Sequence, residues 1–195
     1  MKKQLLMTAF LIQNTVTSYA AENNQMLHQQ YLKESQNTAQ EFMQILGKTL
    51  ATQIESGGVE SAISVCKEVS PAMAKQYSSE SRTVKRVSLK PRNESQGTPD
   101  NWEKNALESF DQAQKNGELP TKIEISTLEE IESGKVFRYM KAIPTQAMCL
   151  KCHGSPTEIP NNVKALLKSN YPNDLATGYS LGEIRGAISI KHKLD

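Results

Sequence analysis

Apolar positions fall first into a helical rhythm. Ala39, Phe42, Met43, Leu46, Leu50 and Ile54 recur at three- and four-residue spacing, which places them on one stripe of a 3.6-residue repeat. Residues 21–56 contain no proline and no glycine but Gly47, so the stripe predicts one long helix, ended by Gly57-Gly58. Val59, Ala62, Ile63, Cys66 and Met73 continue on a second helical stripe, where Pro71 should break or kink the chain. Two successive striped helices should pack together as a hairpin, because neither can leave its apolar face in water.

The rhythm then shortens. Residues 82–89 are rich in β-branched side chains and read as a strand, and the polar run 90–97 reads as a loop. Thr98 is the expected cap of a helix opened by Pro99, with Trp102, Ala106 and Phe110 on its buried face. A hairpin follows. Ile123 and Ile125 alternate with polar neighbours, Ser133-Gly134 turns the chain, and Phe137, Tyr139 and Ile143 alternate in the return strand. A short helix over residues 163–168 stops at Tyr171-Pro172, and Ile184, Gly186, Ile188 and Ile190 line one face of a last strand. Few parallel crossovers fit this order. The predicted fold class is α+β: an antiparallel sheet flanked by helices, preceded by the long N-terminal helix and the helical hairpin.

Between the return strand and the short helix stands Cys149-Leu150-Lys151-Cys152-His153. C-x-x-C-H is the attachment signature of c-type haem: the thiols add across the porphyrin vinyl groups and the histidine supplies an axial iron ligand. Two intervening residues let one tight turn present both sulfurs to one edge of the ring. With 3 Cys and 3 His in 195 residues, chance supplies such a run on the order of once in a thousand chains. One covalent haem c is the expected cofactor, held by Cys149 and Cys152, with His153 on the iron. The rivals are a C-x-x-C redox pair, a local disulfide and zinc. Zinc is the serious one, since Cys66, Cys149, Cys152 and His153 would make a Cys₃His set. Adjacent Cys152 and His153 are awkward as two corners of one tetrahedron.

The N-terminus sets the compartment. Met1-Lys2-Lys3 is a positive n-region, residues 5–16 are mostly apolar, and Ser18-Tyr19-Ala20 before Ala21 has the small-x-small form of a signal peptidase site. Gln13 and Asn14 make the run too poor for a membrane span. Residues 1–20 are thus expected to be a signal peptide cleaved near Ala20/Ala21, the alternative being an ordinary amphipathic helix. Residues 21–195 are expected to be a single periplasmic domain with no stable membrane anchor. Covalent haem attachment in bacteria also takes place outside the cytoplasmic membrane.

Cleavage removes Lys2 and Lys3 and no acid, so 23 basic against 21 acidic residues becomes 21 against 21. A neutral chain lacks the excess of Lys and Arg that nucleic acid or an anionic membrane needs. Neither is an expected partner. Three cysteines leave one odd exported thiol if two hold haem, and Cys66 is that residue.

Four stretches carry a resemblance to a known family. They are residues 62–66 with Pro71-Ala72; Arg86-Val87-Ser88-Leu89-Lys90-Pro91-Arg92-Asn93; Thr98-Pro99-Asp100-Asn101-Trp102-Glu103; and residues 149–154 with 171–179. With them the chain resembles the Tll-type haem domains, exported single-haem c-type proteins. The resemblance implies a PAS-like sheet with helices around it, and Cys66 as the second axial ligand, giving a His/Cys iron. Many relatives are the extracytoplasmic sensing parts of membrane-bound kinases or cyclases. This chain has no second membrane segment and no output domain before Asp195, so any signal is expected to pass through a partner.

Without the family, Cys66 reads equally as a small buried hydrophobe on its stripe. Met73 is the rival ligand, although Met73, Met43 and Met140 read better as core filling. Met148 abuts Cys149 and cannot easily reach the far side, and His28 and His192 read as solvated. Haem propionates need donors, and Arg82, Arg86, Lys90 and Arg92 cluster near Ser88-Leu89-Lys90. Arg92 leads that set, Arg86 follows, and Tyr179 is a further lining candidate.

A thiolate ligand stabilises Fe(III) over Fe(II) and lowers the potential. The expected function is one-electron transfer or redox sensing, with an unspecified redox protein as partner and a homodimer left open. A gas or oxidant sensor that signals to a partner protein is the alternative. No distal acid–base pair with informative spacing is found, so no catalytic residue is assigned and no enzyme is expected.

Overall fold

The computed structural model describes residues 2–132 and 134–194, with side chains from Ala21 onward. The side chains of the expected signal peptide, and Ser133 at the expected hairpin turn, lie outside the described residues.

Helix α1 (Lys2–Ser64) contains the predicted stripe and is interrupted at Gly58, with φ 78° and ψ 178°. A left-handed φ costs a residue with a Cβ about 1–2 kcal/mol. Gly58 therefore makes the break where the glycine pair predicted an end, and the helix resumes at once. A π-helical turn (Val65–Val69) follows and runs into α2 (Ser70–Gln76), which has Pro71 in its first turn. The Ser70 amide donates to the Val65 carbonyl, five residues back. Pro71 has no N–H for the carbonyl four residues back, and its ring crowds that group. The turn ahead of it widens instead of breaking, and Cys66 rides on that wide turn.

Strands β1 (Arg82–Val87), β2 (Glu124–Ile131), β3 (Gly134–Pro144) and β4 (Ile184–Leu194) form one antiparallel sheet in the order β1-β4-β3-β2. Helices α3 (Glu94–Gly97) and α4 (Asn101–Lys115) connect β1 to β2. Helices α5 (Leu150–His153) and α6 (Asn161–Asn170) connect β3 to β4. The fold is α+β, as the order of patterns predicts. Among the described residues, no helix is long and apolar enough to cross a membrane.

Two local expectations change. The cap of α4 is Asp100 and not Thr98: its carboxylate accepts from the Glu103 amide while Glu103 Oε2 accepts from the Asp100 amide. That complete capping box leaves Pro99 outside the helix. The two central strands, moreover, bury both faces. Phe137, Tyr139, Ile188 and Ile190 pack with Ala39 and Phe42 of α1 and Met73 of α2. Met140, Ala142 and Ala187 pack with Ala106, Leu107 and Phe110 of α4. Ile184 joins this second group, away from Ile188 and Ile190. The register slips there: Ile143 faces Gly186 but Pro144 faces Ile184, so Arg185 is an extra residue on β4. One extra residue reverses the side-chain alternation.

The helical hairpin closes at one end only. Met73, Ala74 and Tyr77 pack near Phe42, whose ring lies 5.8 Å from that of Tyr77. Ile63, by contrast, joins Ile159, Val163, Leu167 and Tyr171 around α6. The two stripes part, and a cavity lies between them.

Candidate functional site

Cys149 to His153 close as one tight turn. The amides of Cys152 and His153 both donate to the Cys149 carbonyl, at 3.1 and 2.8 Å. Cys149, Cys152 and His153 line a cavity of about 510 Å³, within the roughly 300–1,000 Å³ usual for small-molecule and cofactor sites. Met43, Leu46, Leu50 and Ile54 of α1, Ile63, and Ile143 and Ile188 of the sheet make it largely apolar. A second cavity of about 410 Å³ adjoins it and is the more polar of the two, with Ser70, Lys85, Asn93, Ser95 and Gln96 in its wall. Cys66, Arg86, Arg92, His153, Tyr171 and Arg185 line both and form a seam. Cys149 and Cys152 line the apolar lobe and are absent from the polar one.

His153 is buried, with Nδ1 2.7 Å from the Ala176 carbonyl and 3.2 Å from Arg185 Nε. A carbonyl accepts and a guanidinium donates, so one nitrogen cannot bond both. The shorter contact, to the carbonyl, fixes the proton on Nδ1. Nε2 keeps its lone pair and has no hydrogen-bond partner among the described residues, which is the arrangement of a metal-ligating histidine oriented by a carbonyl. Burial, then the Arg185 and Arg92 cations, hold its pKa well below the usual value, so the ring is neutral. Burial also pushes the Cys152 thiol up to about 11, against the pull of Arg92. Cys66, Cys149 and Cys152 are all free of disulfides.

The expected propionate donors differ in what they hold. Arg92 is buried and occupied: Nε meets Asp174 Oδ2 at 3.0 Å, and Nη2 donates to the carbonyls of Cys152 and Ala176. It clamps the C-x-x-C-H turn to the segment at 171–179. The Gly178 and Tyr179 amides extend that clamp by donating to the carbonyls of Gly154 and His153. Arg86 is less committed, with Nη1 on Ser70 Oγ at 3.0 Å and a buried Nε that has no partner. Arg82 is spent on Glu34 and the Tyr77 carbonyl.

Tyr179, expected as a lining residue, borders a third cavity and neither lobe, with its ring edge-on to His153 at 6.4 Å and Lys90 over its face at 4.2 Å. It supports the imidazole from behind. Two seam residues have no site role in the sequence reading: Tyr171, a helix stop and part of the family-like stretch 171–179, and Arg185. A single cation inside the apolar run Ile184-Arg185-Gly186-Ala187-Ile188 was the available signal for the latter.

The other candidates sort cleanly. Met73 and Met140 are buried in the two cores, whereas Met43 and Met148 line the apolar lobe. His192 is buried and His28 half-buried: their Nε2 atoms bond Ser35 Oγ and Ser126 Oγ, both at 3.1 Å, and both rings contact Phe137. Among the described residues no three His, Cys, Asp or Glu side chains gather to hold a metal ion, although Cys66, Cys149, Cys152 and His153 all line the apolar lobe.

A family model described as Tll0287-like matches residues 13–192. Among solved structures the chain is similar to the crystal structure of the cyanobacterial heme-protein Tll0287, with a TM-score of 0.63 and 22% identity. The match covers 85% of this chain and 97% of that one. At this identity the likeness is one of fold. No curated protein matches the chain.

Proposed function

The chain belongs to the Tll0287-like family, and from that premise we propose that it carries one covalent haem c and serves in one-electron transfer or redox sensing after export. The observation that carries this reading is how the lining is divided. Both attachment cysteines border the apolar lobe alone, while both proposed iron ligands lie on the seam together with Arg86, whose Nε is unpartnered. Haem is divided the same way, with an apolar vinyl edge, a central iron and a carboxylate edge. Arg86 supplies the donor such a guest needs: its buried Nε has no partner, whereas Arg92 already pairs with Asp174. A buried donor without a partner calls for an acceptor.

When bound, haem supplies interconversion of ferric and ferrous iron by one electron, taken from and returned to a one-electron carrier protein. The chain's own residues do the rest. His153 presents a neutral Nε2, and the Ala176 carbonyl keeps it turned. Cys66, on the wide turn that lines the same cavity, would give its sulfur to the iron. Arg86 would give its unpaired N–H to a carboxylate, and α1 supplies apolar wall to the lobe. No residue is assigned a catalytic role.

The test is a Cys66→Ala variant made with haem-maturation machinery. Loss of the low-spin spectrum and a raised midpoint potential are expected, because an anionic sulfur favours the ferric state. An unchanged spectrum and potential remove Cys66 from the iron. The wide turn at Val65–Val69 favours a second reading, as a gas or oxidant sensor, because single π-turns mark functional sites and hold slack. CO uptake by the reduced protein supports the sensor; iron inert to CO leaves electron transfer.

A further inference from the structure

We infer that Arg185 is a tuning residue for the iron held by His153, a fixed cation behind the imidazole that favours the reduced state. The inference rests on the haem reading above. It begins with the bulge. Arg185 is the residue left out of the β3–β4 ladder, and a bulge re-aims the side chain it carries. The bend is fixed by its neighbour: Gly186 has φ 155°, and a Cβ there would stand 2.3 Å from the Val87 carbonyl oxygen. No other residue type fits so close to β1.

The re-aimed guanidinium lies buried beside the proximal ring, with Nε 3.2 Å from His153 Nδ1. Its Nη1 is held by neutral groups, Ser88 Oγ at 2.9 Å and the Lys90 carbonyl at 3.3 Å. Arg92 differs in having Asp174 at ion-pair distance. Among the described residues, Arg185 has no carboxylate within that distance. Its charge is therefore undiminished where it meets the ring.

Two influences then act on one nitrogen. The Ala176 carbonyl draws on the Nδ1 proton, enriches the imidazole and favours ferric iron. The guanidinium opposes that enrichment, and its field favours whichever iron state carries less positive charge. Removing the cation should leave the carbonyl's influence unopposed.

The experiment compares midpoint potentials of the haem-loaded wild type, Arg185→Gln and Arg185→Lys by mediated spectroelectrochemical titration. For Arg185→Gln the ferric-to-ferrous ratio at a fixed ambient potential should rise about tenfold, a fall of about 59 mV for one electron. Arg185→Lys keeps the charge and should stay within roughly threefold of wild type. A potential unmoved in Arg185→Gln, or moved equally in both variants, overturns the inference. If Arg185→Gln does not load haem, Arg185→Met serves, since its straight apolar stem fills part of the same space without the charge. A fall of the same sign supports the inference, and no change overturns it. Failure of the haem reading itself shows separately, as a wild-type chain without a Soret band, and overturns both.

Discussion

The two faces of the sheet share β3 and β4 and are covered differently. Under α4, Ala106, Leu107 and Phe110 close on Met140, Ala142 and Ala187. The helix is pinned at its start by the Asp100–Glu103 box and by Arg138 on Asp100. Under α1, close packing holds around Phe42 and Phe137 and then gives way, beyond Met43, to the two-lobed cavity. The difference comes from the hairpin. Gly58 and the wide turn before Pro71 lead Ile63 away to α6, so the second stripe does not close on the first. One face supplies rigidity, and the other spends its apolar surface on a guest.

Substitutions on either side sharpen the contrast. The largest effect is expected from replacing Cys149 and Cys152 together by serine. Haem that survives denaturation, read by haem staining of a denaturing gel, should disappear completely, while the α4 face keeps its packing. Phe110→Ala should do the reverse, lowering unfolding free energy by about 3–5 kcal/mol with the haem spectrum intact at low temperature. A loss under about 1 kcal/mol in denaturant titration would remove α4 as the rigid side.

The smallest effect concerns pH at the packed part of α1. Burial lowers the His192 pKa, with Glu34 pulling it up and Arg82 pushing it down. Its neutral Nε2 sits against Ser35 Oγ, with Tyr31 and Phe137 beside the ring. The unfolded chain binds this proton first, near pH 6.5. The contribution is therefore complete above about pH 6.5 and is lost as pH falls from there toward the folded pKa. Thermal melts at pH 7.5 and 5.5 should diverge in wild type and diverge less in His192→Gln, the remainder belonging to groups such as His153 that burial also holds neutral. Equal divergence in both would place the acid sensitivity elsewhere.

What could be read in advance was what is local. The C-x-x-C-H turn is written in five adjacent residues, because bonding geometry demands that spacing. The stripe of α1 and the break at Gly57-Gly58 follow from helical period and from glycine's backbone freedom. The membership of Cys66 in the seam came from the resemblance, since a buried cysteine on a stripe looks the same whether or not it has a partner. Arg185 is legible only as a lone cation in an apolar run; which way it points is not, because a one-residue bulge decides that and bulges depend on the partner strand. The packing of His28 and His192 likewise depends on α1 lying across the sheet. The cap moved from Thr98 to Asp100 because Glu103, three residues on, completes a reciprocal pair that Thr98 cannot.

The central claim is that paired thiols at one end of the apolar lobe hold a porphyrin covalently beside His153. Intact mass spectrometry of the purified chain under denaturing conditions, after expression with haem-maturation machinery, tests it most directly. The account predicts a single species heavier than its polypeptide by one haem, and a species without that increment in the Cys149→Ser/Cys152→Ser variant. A wild-type chain at the mass of the polypeptide alone would contradict it.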